Sequence, residues 1–182
     1  MKADTFAARA IALMNAVAID MTTATNDAGW KARAAFLTPI TKACGTDVGI
    51  ETANTGIQVH GGMGFIEETG AAQYYRDARI TTIYEGTTGI QALDLIGRKI
   101  LRDEGREMNK VIADIQSTID DLNAGEQAFK EIAEQLTQAL ESWTATHDIF
   151  LSKISQDTDI VSTSAVNYLM LAGTVVGGWL LA

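Results

Sequence analysis

The sequence predicts an all-α protein, an antiparallel helical bundle over residues 1–104 followed by an appended helical subdomain over residues 105–182. Three observations carry that expectation. Proline occurs once in 182 residues, aromatic side chains make up only 7%, and apolar residues recur at three- and four-residue intervals through stretches rich in Ala, Ile, Leu, Glu and Gln. Proline would remove an intrahelical hydrogen bond, Ala, Leu, Glu and Gln lose little rotamer freedom in a helix, and the spacing aligns one face of a 3.6-residue turn. An apolar fraction of 47% is ample to fill a core at this length.

Phe6, Ala10, Leu13, Met14, Val17 and Met21 share one helix face, so the first helix is expected to reach about Thr25. Asn26, Asp27, Ala28 and Gly29 supply turn chemistry and imply an antiparallel partner. That partner starts near Trp30 and meets Pro39, which fits best in a first helical turn with Thr38 as cap, so a kink or break is expected there. The chain then reads helically from Thr38 to about His60, with Gly45, Gly49 and Gly56 small enough for another backbone to approach. Residues 60–65 are too rich in glycine for a regular element, and a short helix from about Thr69 to Arg76 follows. Residues 80–86 read as extended and then turning. Thr87 or Thr88 is placed to cap a helix that reaches about Arg102 and buries Leu93, Ile96 and Ile100.

After Asp103, Glu104 and Gly105 the pattern becomes more charged, with a seam at Met108, Val111, Ile112, Ile115, Ile119 and Leu122 that Asn123, Ala124 and Gly125 close. A second seam follows at Phe129, Ile132, Ala133, Leu136, Leu140 and Trp143, and an uncharged stretch from Ile160 to Ala182 ends the chain. These seams are too apolar to stand in water alone, so the appended helices are expected to pack on the first hundred residues or on a second subunit.

Charge and cysteine content exclude several classes of function. A net charge of −9 without a lysine or arginine cluster would repel a phosphate backbone, so no nucleic-acid partner is expected. Cys44 stands alone, which rules out an intrachain disulfide and points to a reducing, cytoplasmic setting with Cys44 as a small buried apolar side chain. The amino terminus is amphipathic from the start and lacks the organisation of a signal peptide. The final stretch is long enough to cross a bilayer, but Ser162, Thr163, Ser164, Asn167, Thr174 and its glycines favour a packed core helix over a membrane span. His60 and His147 lie far apart with no second cysteine, so no metal site is expected.

A glutamate followed by glycine at the mouth of a helix is most often a solvated turn residue. The reading changes with the ordered series Gln58-Val59-His60-Gly61-Gly62-Met63-Gly64-Phe65, Tyr75-Arg76-Asp77-Ala78-Arg79-Ile80 and Ile83-Tyr84-Glu85-Gly86-Thr87-Thr88-Gly89-Ile90-Gln91. Three motifs in this order and spacing resemble the acyl-CoA dehydrogenase family over about the first hundred residues. Residues 92–99 with the helical tail resemble the branch that carries an extra carboxyl-terminal domain.

The resemblance implies a flavoenzyme that takes an acyl-CoA substrate, holds FAD, passes electrons to an electron-transfer flavoprotein and assembles as a homo-oligomer. In the family, the glutamate at the Glu85 position removes the pro-R α-proton of the thioester while the β-hydride passes to flavin N5. Its backbone N–H and a flavin ribityl hydroxyl bond the thioester carbonyl. A carboxylate suits this role because desolvation between flavin and substrate raises its proton affinity. Gly86 then lets the acyl chain approach the backbone beside the base, which makes it the substrate-binding position. By resemblance, Thr87, Thr88 and Gly89 face the FAD diphosphate region from a helix amino terminus, which presents free N–H groups, with Gly89 contributing only its backbone. Gln58, Gly61 and Gly62 match the segment that contacts the adenosine half of FAD, commonly the FAD held by a neighbouring subunit. Arg76 and Arg79 are better read as organising the short helix and the base-bearing loop by ion pairs. Complete members carry an amino-terminal helical domain and a middle β domain not found in this sequence. The chain is therefore expected to be a portion of its enzyme and inactive alone; the alternative is a helical assembly module without chemistry of its own.

Overall fold

The computed structural model describes residues 1–153 and 158–182, and every regular element among them is a helix. Residues 154–157, inside the unit expected over 105–182, lie outside the described residues.

Helices α1 (Lys2–Thr25) and α2 (Ala28–Val59) pack side by side across a two-residue turn and are therefore antiparallel. The turn is built as its residues dictate. Asn26 takes the left-handed conformation at φ 53° and donates its N–H to the Thr22 carbonyl, while Asp27 Oδ1 accepts from the amides of Gly29 at 2.7 Å and Trp30 at 3.1 Å. That cap starts α2 at Ala28, two residues before the expected Trp30. The inward line of α1 is Ile11, Asn15 and Ala18; Phe6, Leu13 and Val17, expected to face the core, are exposed. The helix is apolar on two sides, and the side that carries Ile11 meets the core of this chain.

No break occurs at Pro39, because α2 runs through it. The missing N–H costs about 3 kcal/mol, but Phe36, Leu37 and Ile40 are fully buried around the proline, each contributing about 1.5–3 kcal/mol. Thr38 does not cap a new helix; its hydroxyl donates to the Ala34 carbonyl at 2.7 Å. Gly45, Gly49 and Gly56 admit no second backbone either. A Cβ on any of them would meet nothing within 4 Å, and the three form part of the floor of an open groove of about 670 Å³.

Where no regular element was expected, α3 (Gly62–Phe65) makes a single turn, and α4 (Ala71–Arg79) begins and ends later than the sequence suggested. Residues 80–82 coil tightly instead of extending. The amides of Ile83 and Tyr84 both donate to the Ile80 carbonyl, and the Thr81 and Thr82 hydroxyls donate back to the carbonyls of Ala78 and Arg79, which offers these β-branched residues an alternative to a strand. Helix α5 (Thr88–Asp94) continues into a wide helical turn over Leu95–Leu101. Its buried line is Ala92, Leu95, Ile96 and Ile100, while Leu93, expected inside, is exposed because Ala92 takes the inward position.

Helices α6 (Arg106–Ala124), α7 (Gln127–Lys153) and α8 (Thr158–Trp179) complete the chain. Met108, Val111, Ile115 and Ile119 of the first seam are buried, as are Ala133, Leu136, Leu140 and Trp143 of the second, but Phe129 and Ile132 remain exposed. As expected, the appended helices pack on the first hundred residues, and one apolar core runs through both. Helix α8 closes on α1 and α2 through glycines. A Cβ at Gly173 would lie 2.0 Å from Cys44 Sγ, and one at Gly177 would lie 3.1 Å from Ala7 Cβ. Trp179 Nε1 then donates to Thr118 Oγ1 at 2.8 Å, which ties the end of α8 to α6. Among the described residues no helix is long and apolar enough to cross a membrane.

An ion network centred on the buried Glu107 joins the two parts. Arg33 of α2 donates to Glu107 and, at 2.8 Å, to Asp114 of α6, while Lys110 reaches Glu107 from the other side at 3.2 Å. Glu107 is 2% exposed. Burial alone would lower the Arg33 pKa, but the bonds to Glu107 and Asp114 outweigh it and hold the guanidinium more firmly charged than usual.

The second buried polar site lies between α7 and α8. His147 Nδ1 is 3.1 Å from the Tyr168 hydroxyl, which also lies 3.4 Å from Met108 Sδ. Burial lowers the His147 pKa, and the smaller opposing pull of Asp148 does not restore it. The folded chain therefore favours neutral His147, whereas the unfolded chain protonates it near the ordinary value of about 6.5. Its contribution to stability should be intact above that value and be lost as pH falls below it towards the folded pKa. Thermal unfolding of the parent and of His147→Gln checks this: between pH 8 and pH 5 the parent's Tm should drop more than the variant's, and equal drops would contradict it.

Candidate functional site

The turn that carries Glu85 lies between the coil at residues 80–82 and α5. Glu85 and Gly86 are consecutive residues in the left-handed region, at φ 55° and 88°. Gly86 suits this conformation, and a Cβ there would approach Gln91 Nε2 to 2.9 Å, so the amide that holds the Glu85 carbonyl would have to shift. Glu85 adopts it without glycine's freedom, a conformation that costs a non-glycine residue about 1 kcal/mol or more and persists only where the surroundings hold it.

Two side chains supply that hold. Lys42 of α2 donates from Nζ to the Gly86 carbonyl at 2.6 Å, and Gln91 of α5 donates from Nε2 to the Glu85 carbonyl at 3.2 Å. The Glu85 side chain itself is exposed and directed to none of the described residues as a hydrogen-bond acceptor. Thr87 occupies the amino-terminal cap position of α5 in extended conformation, yet its hydroxyl makes no capping bond. Thr88 instead donates to Asp47 Oδ1 at 3.3 Å.

Thr87, Thr88 and Gly89 line a cleft of about 530 Å³ with Asp47, Tyr75 and Arg79. Arg79 forms no ion pair among the described residues; it donates to Thr82 Oγ1 at 2.6 Å, and Arg76 pairs with Glu67 at 3.3 Å. The ion-pair reading therefore fits Arg76 alone.

Gln58, Gly61 and Gly62 stand apart from this cleft. Gln58 is seven residues beyond Glu51, the last α2 residue that lines the cleft, roughly 10 Å along the helix axis. All three are exposed. The loop behind them is fixed by His60, whose Nδ1 lies 2.8 Å from the Gly56 carbonyl, and by the buried Gly64, where a Cβ would lie 2.2 Å from the Ile57 carbonyl oxygen. The structure thus divides the candidate residues into two groups, Glu85 to Gly89 at one end and Gln58 to Gly62 at the other.

Lys42 and Asp47 were not singled out from the sequence. The signal available was a lone cation, Lys42, between Ile40 and Ala43 in a stretch with no other charge from Thr38 to Thr46.

A family model described as acyl-CoA dehydrogenase, C-terminal domain, matches residues 1–101, and a second, described as acetyl-CoA dehydrogenase C-terminal like, matches residues 111–182. The 3-methylmercaptopropionyl-CoA dehydrogenase of Ruegeria pomeroyi is 47% identical over 146 residues, covering 80% of this chain and 25% of that protein. The broad-specificity linear acyl-CoA dehydrogenase FadE5 of Mycobacterium tuberculosis is 34% identical over 152 residues, again 80% of this chain and 25% of that protein. Among solved structures, ACDH-11 of Caenorhabditis elegans in complex with C11-CoA superposes with a TM-score of 0.76 at 21% identity, over 100% of this chain and 30% of that one. This chain spans about a quarter of the length of these curated relatives.

Proposed function

We propose, because the chain belongs to the acyl-CoA dehydrogenase family, that it is the carboxyl-terminal portion of a flavin-dependent enzyme that introduces an α,β double bond into an acyl-CoA thioester. Glu85 is the base in this reading. The observation that supports it most is the presentation of Glu85 on two successive left-handed residues, with its side chain exposed and its turn tied to α2 and α5. Backbone strain of this kind persists where the surroundings over-determine it, and it concentrates at functional sites.

Bound FAD would supply the hydride acceptor. Thr87, Thr88 and Gly89 suit its diphosphate region, because the Thr87 hydroxyl is not spent on capping and a Cβ at Gly89 would meet only that hydroxyl, at 4.0 Å. Gly62 likewise has open space where a side chain would stand. The distance between the two groups of residues is consistent with Gln58, Gly61 and Gly62 serving the adenosine half of an FAD in a neighbouring subunit, in a homo-oligomer. Gly86 would let the acyl chain pass close to the backbone, and the Glu85 N–H would donate to the thioester carbonyl as negative charge develops there. Glu85 would then take the α-proton. ACDH-11 was solved with an acyl-CoA, and the same substrate class is assigned here, with an electron-transfer flavoprotein as the electron acceptor.

A second reading, a helical assembly module without chemistry of its own, draws on the exposed Phe6, Leu13 and Val17 of α1. Rapid anaerobic mixing of the flavoenzyme that contains this segment with a saturated acyl-CoA separates the two. The flavin band should bleach in the parent and stay oxidised in Glu85→Gln, while both retain FAD. Bleaching of the variant at the parent rate would place the base elsewhere.

A further inference from the structure

We infer that Lys42 is a positioning residue for the base, acting through the carbonyl of Gly86; the inference rests on the reading of Glu85 given above. Lys42 lies on α2, 44 residues before the carbonyl it holds, and is partly buried, next in sequence to the buried Ala43. It forms no ion pair with a carboxylate among the described residues; the bond that is present is the 2.6 Å donation to Gly86. A cation so placed makes a short, charge-assisted hydrogen bond that a neutral side chain would not match.

The geometry gives the bond a specific task. Two left-handed residues in sequence turn the chain sharply, and their carbonyls emerge on different sides, one held by Gln91 from α5 and the other by Lys42 from α2. Without Lys42 only the α5 side is fixed, and Glu85 can relax towards the backbone conformations that L residues prefer. Its side chain and N–H would then move together, because both hang from the same turn. Substrate contacts elsewhere would be spared, so the effect should fall on the chemical step.

The test uses the flavoenzyme that contains this segment, with Lys42→Met, Lys42→Arg and Glu85→Gln compared by anaerobic flavin bleaching at varied acyl-CoA concentration. Lys42→Met should lower the limiting bleaching rate by about ten- to a hundredfold, the scale of a displacement near 1 Å. The half-saturating substrate concentration should change by less than about threefold, as expected when transition-state stabilisation rather than ground-state binding is lost. FAD content should match the parent, and Lys42→Arg, which keeps a cationic donor, should recover most of the rate. A Lys42→Met enzyme that bleaches at the parent rate overturns the inference, as does a loss that Lys42→Arg leaves unrepaired. If the Met variant fails to retain FAD, Lys42→Gln replaces it in the same comparison, and bleaching of that variant at the parent rate also overturns the inference. The two readings fail separately: an unimpaired Glu85→Gln removes the base assignment, whereas an impaired Glu85→Gln with an unimpaired Lys42→Met removes only the role of Lys42.

Discussion

With Glu85 as the proposed base of a flavoenzyme that would contain this segment, Glu85→Gln is expected to slow flavin reduction by acyl-CoA by about 10²–10⁴-fold from loss of the base alone. That corresponds to about 2.7–5.4 kcal/mol of transition-state stabilisation. The amide matches the carboxylate in size, so the fold and the turn should survive: the contacts that hold the turn, from Lys42 and Gln91, go to backbone carbonyls and not to the Glu85 side chain. Thioester binding should persist for a related reason, since the proposed donor to the thioester carbonyl is the backbone N–H, which the substitution leaves in place. What changes is proton affinity: an amide does not accept the α-proton at useful driving force. A variant with parental binding and FAD content but a collapsed bleaching rate would separate base loss from damage to the site.

The largest effect expected on stability comes from Arg33→Met. It removes the cation facing Glu107, a carboxylate only 2% exposed and joined to Lys110 on its other side. Removing one partner of a buried pair typically costs about 3–5 kcal/mol; because Lys110 still faces Glu107, the lower end is expected, which for a chain of this size lowers Tm by about 6–12 °C. Asp114, whose side chain is 47% exposed, should matter far less, and Asp114→Asn should cost under about 1 kcal/mol. Pairing Arg33→Met with Glu107→Leu should recover most of the loss, because two apolar groups replace the buried pair. Thermal unfolding of the four proteins decides the matter, and a Tm for Arg33→Met within two degrees of that for Asp114→Asn would mean that the network does not hold α6 against α2.

The elements legible in the sequence were those fixed by short-range chemistry. Asn26 and Asp27 place the α1–α2 turn because their side chains and left-handed tolerance act within three residues. The all-helical class and most of the α6 and α7 seams followed from periodicity in the same way. Pro39 misled because its cost is local, whereas the burial of Phe36, Leu37 and Ile40 that offsets it is tertiary. Leu93 and Phe129 misled because spacing defines a stripe without defining which edge of it meets another helix. At the candidate site, the turn around Gly86 was legible from its glycine. Its stay to Lys42 was not, since that contact spans 44 residues and involves a lysine that reads as a solvated side chain. The helical run from Thr38 to about His60 that carries Gln58 away from the cleft was legible, whereas the bond from Thr88 to Asp47 that sets the cleft against α2 was not.

The crossing of α8 over α2 gives the molecule a built-in chemical reporter. Gly173 covers Cys44 so closely that no side chain fits between them, and burial, aided by Asp47, pushes the thiol pKa up to about 11. A docked α8 therefore leaves Cys44 shielded and almost wholly protonated at neutral pH, while undocking would expose it and return it towards ordinary thiol acidity. Since it is the single cysteine of the chain, the rate of its alkylation by a small maleimide, followed by mass, reads how often the last helix lifts from the bundle. That clock runs in the unmodified sequence, with no label to engineer.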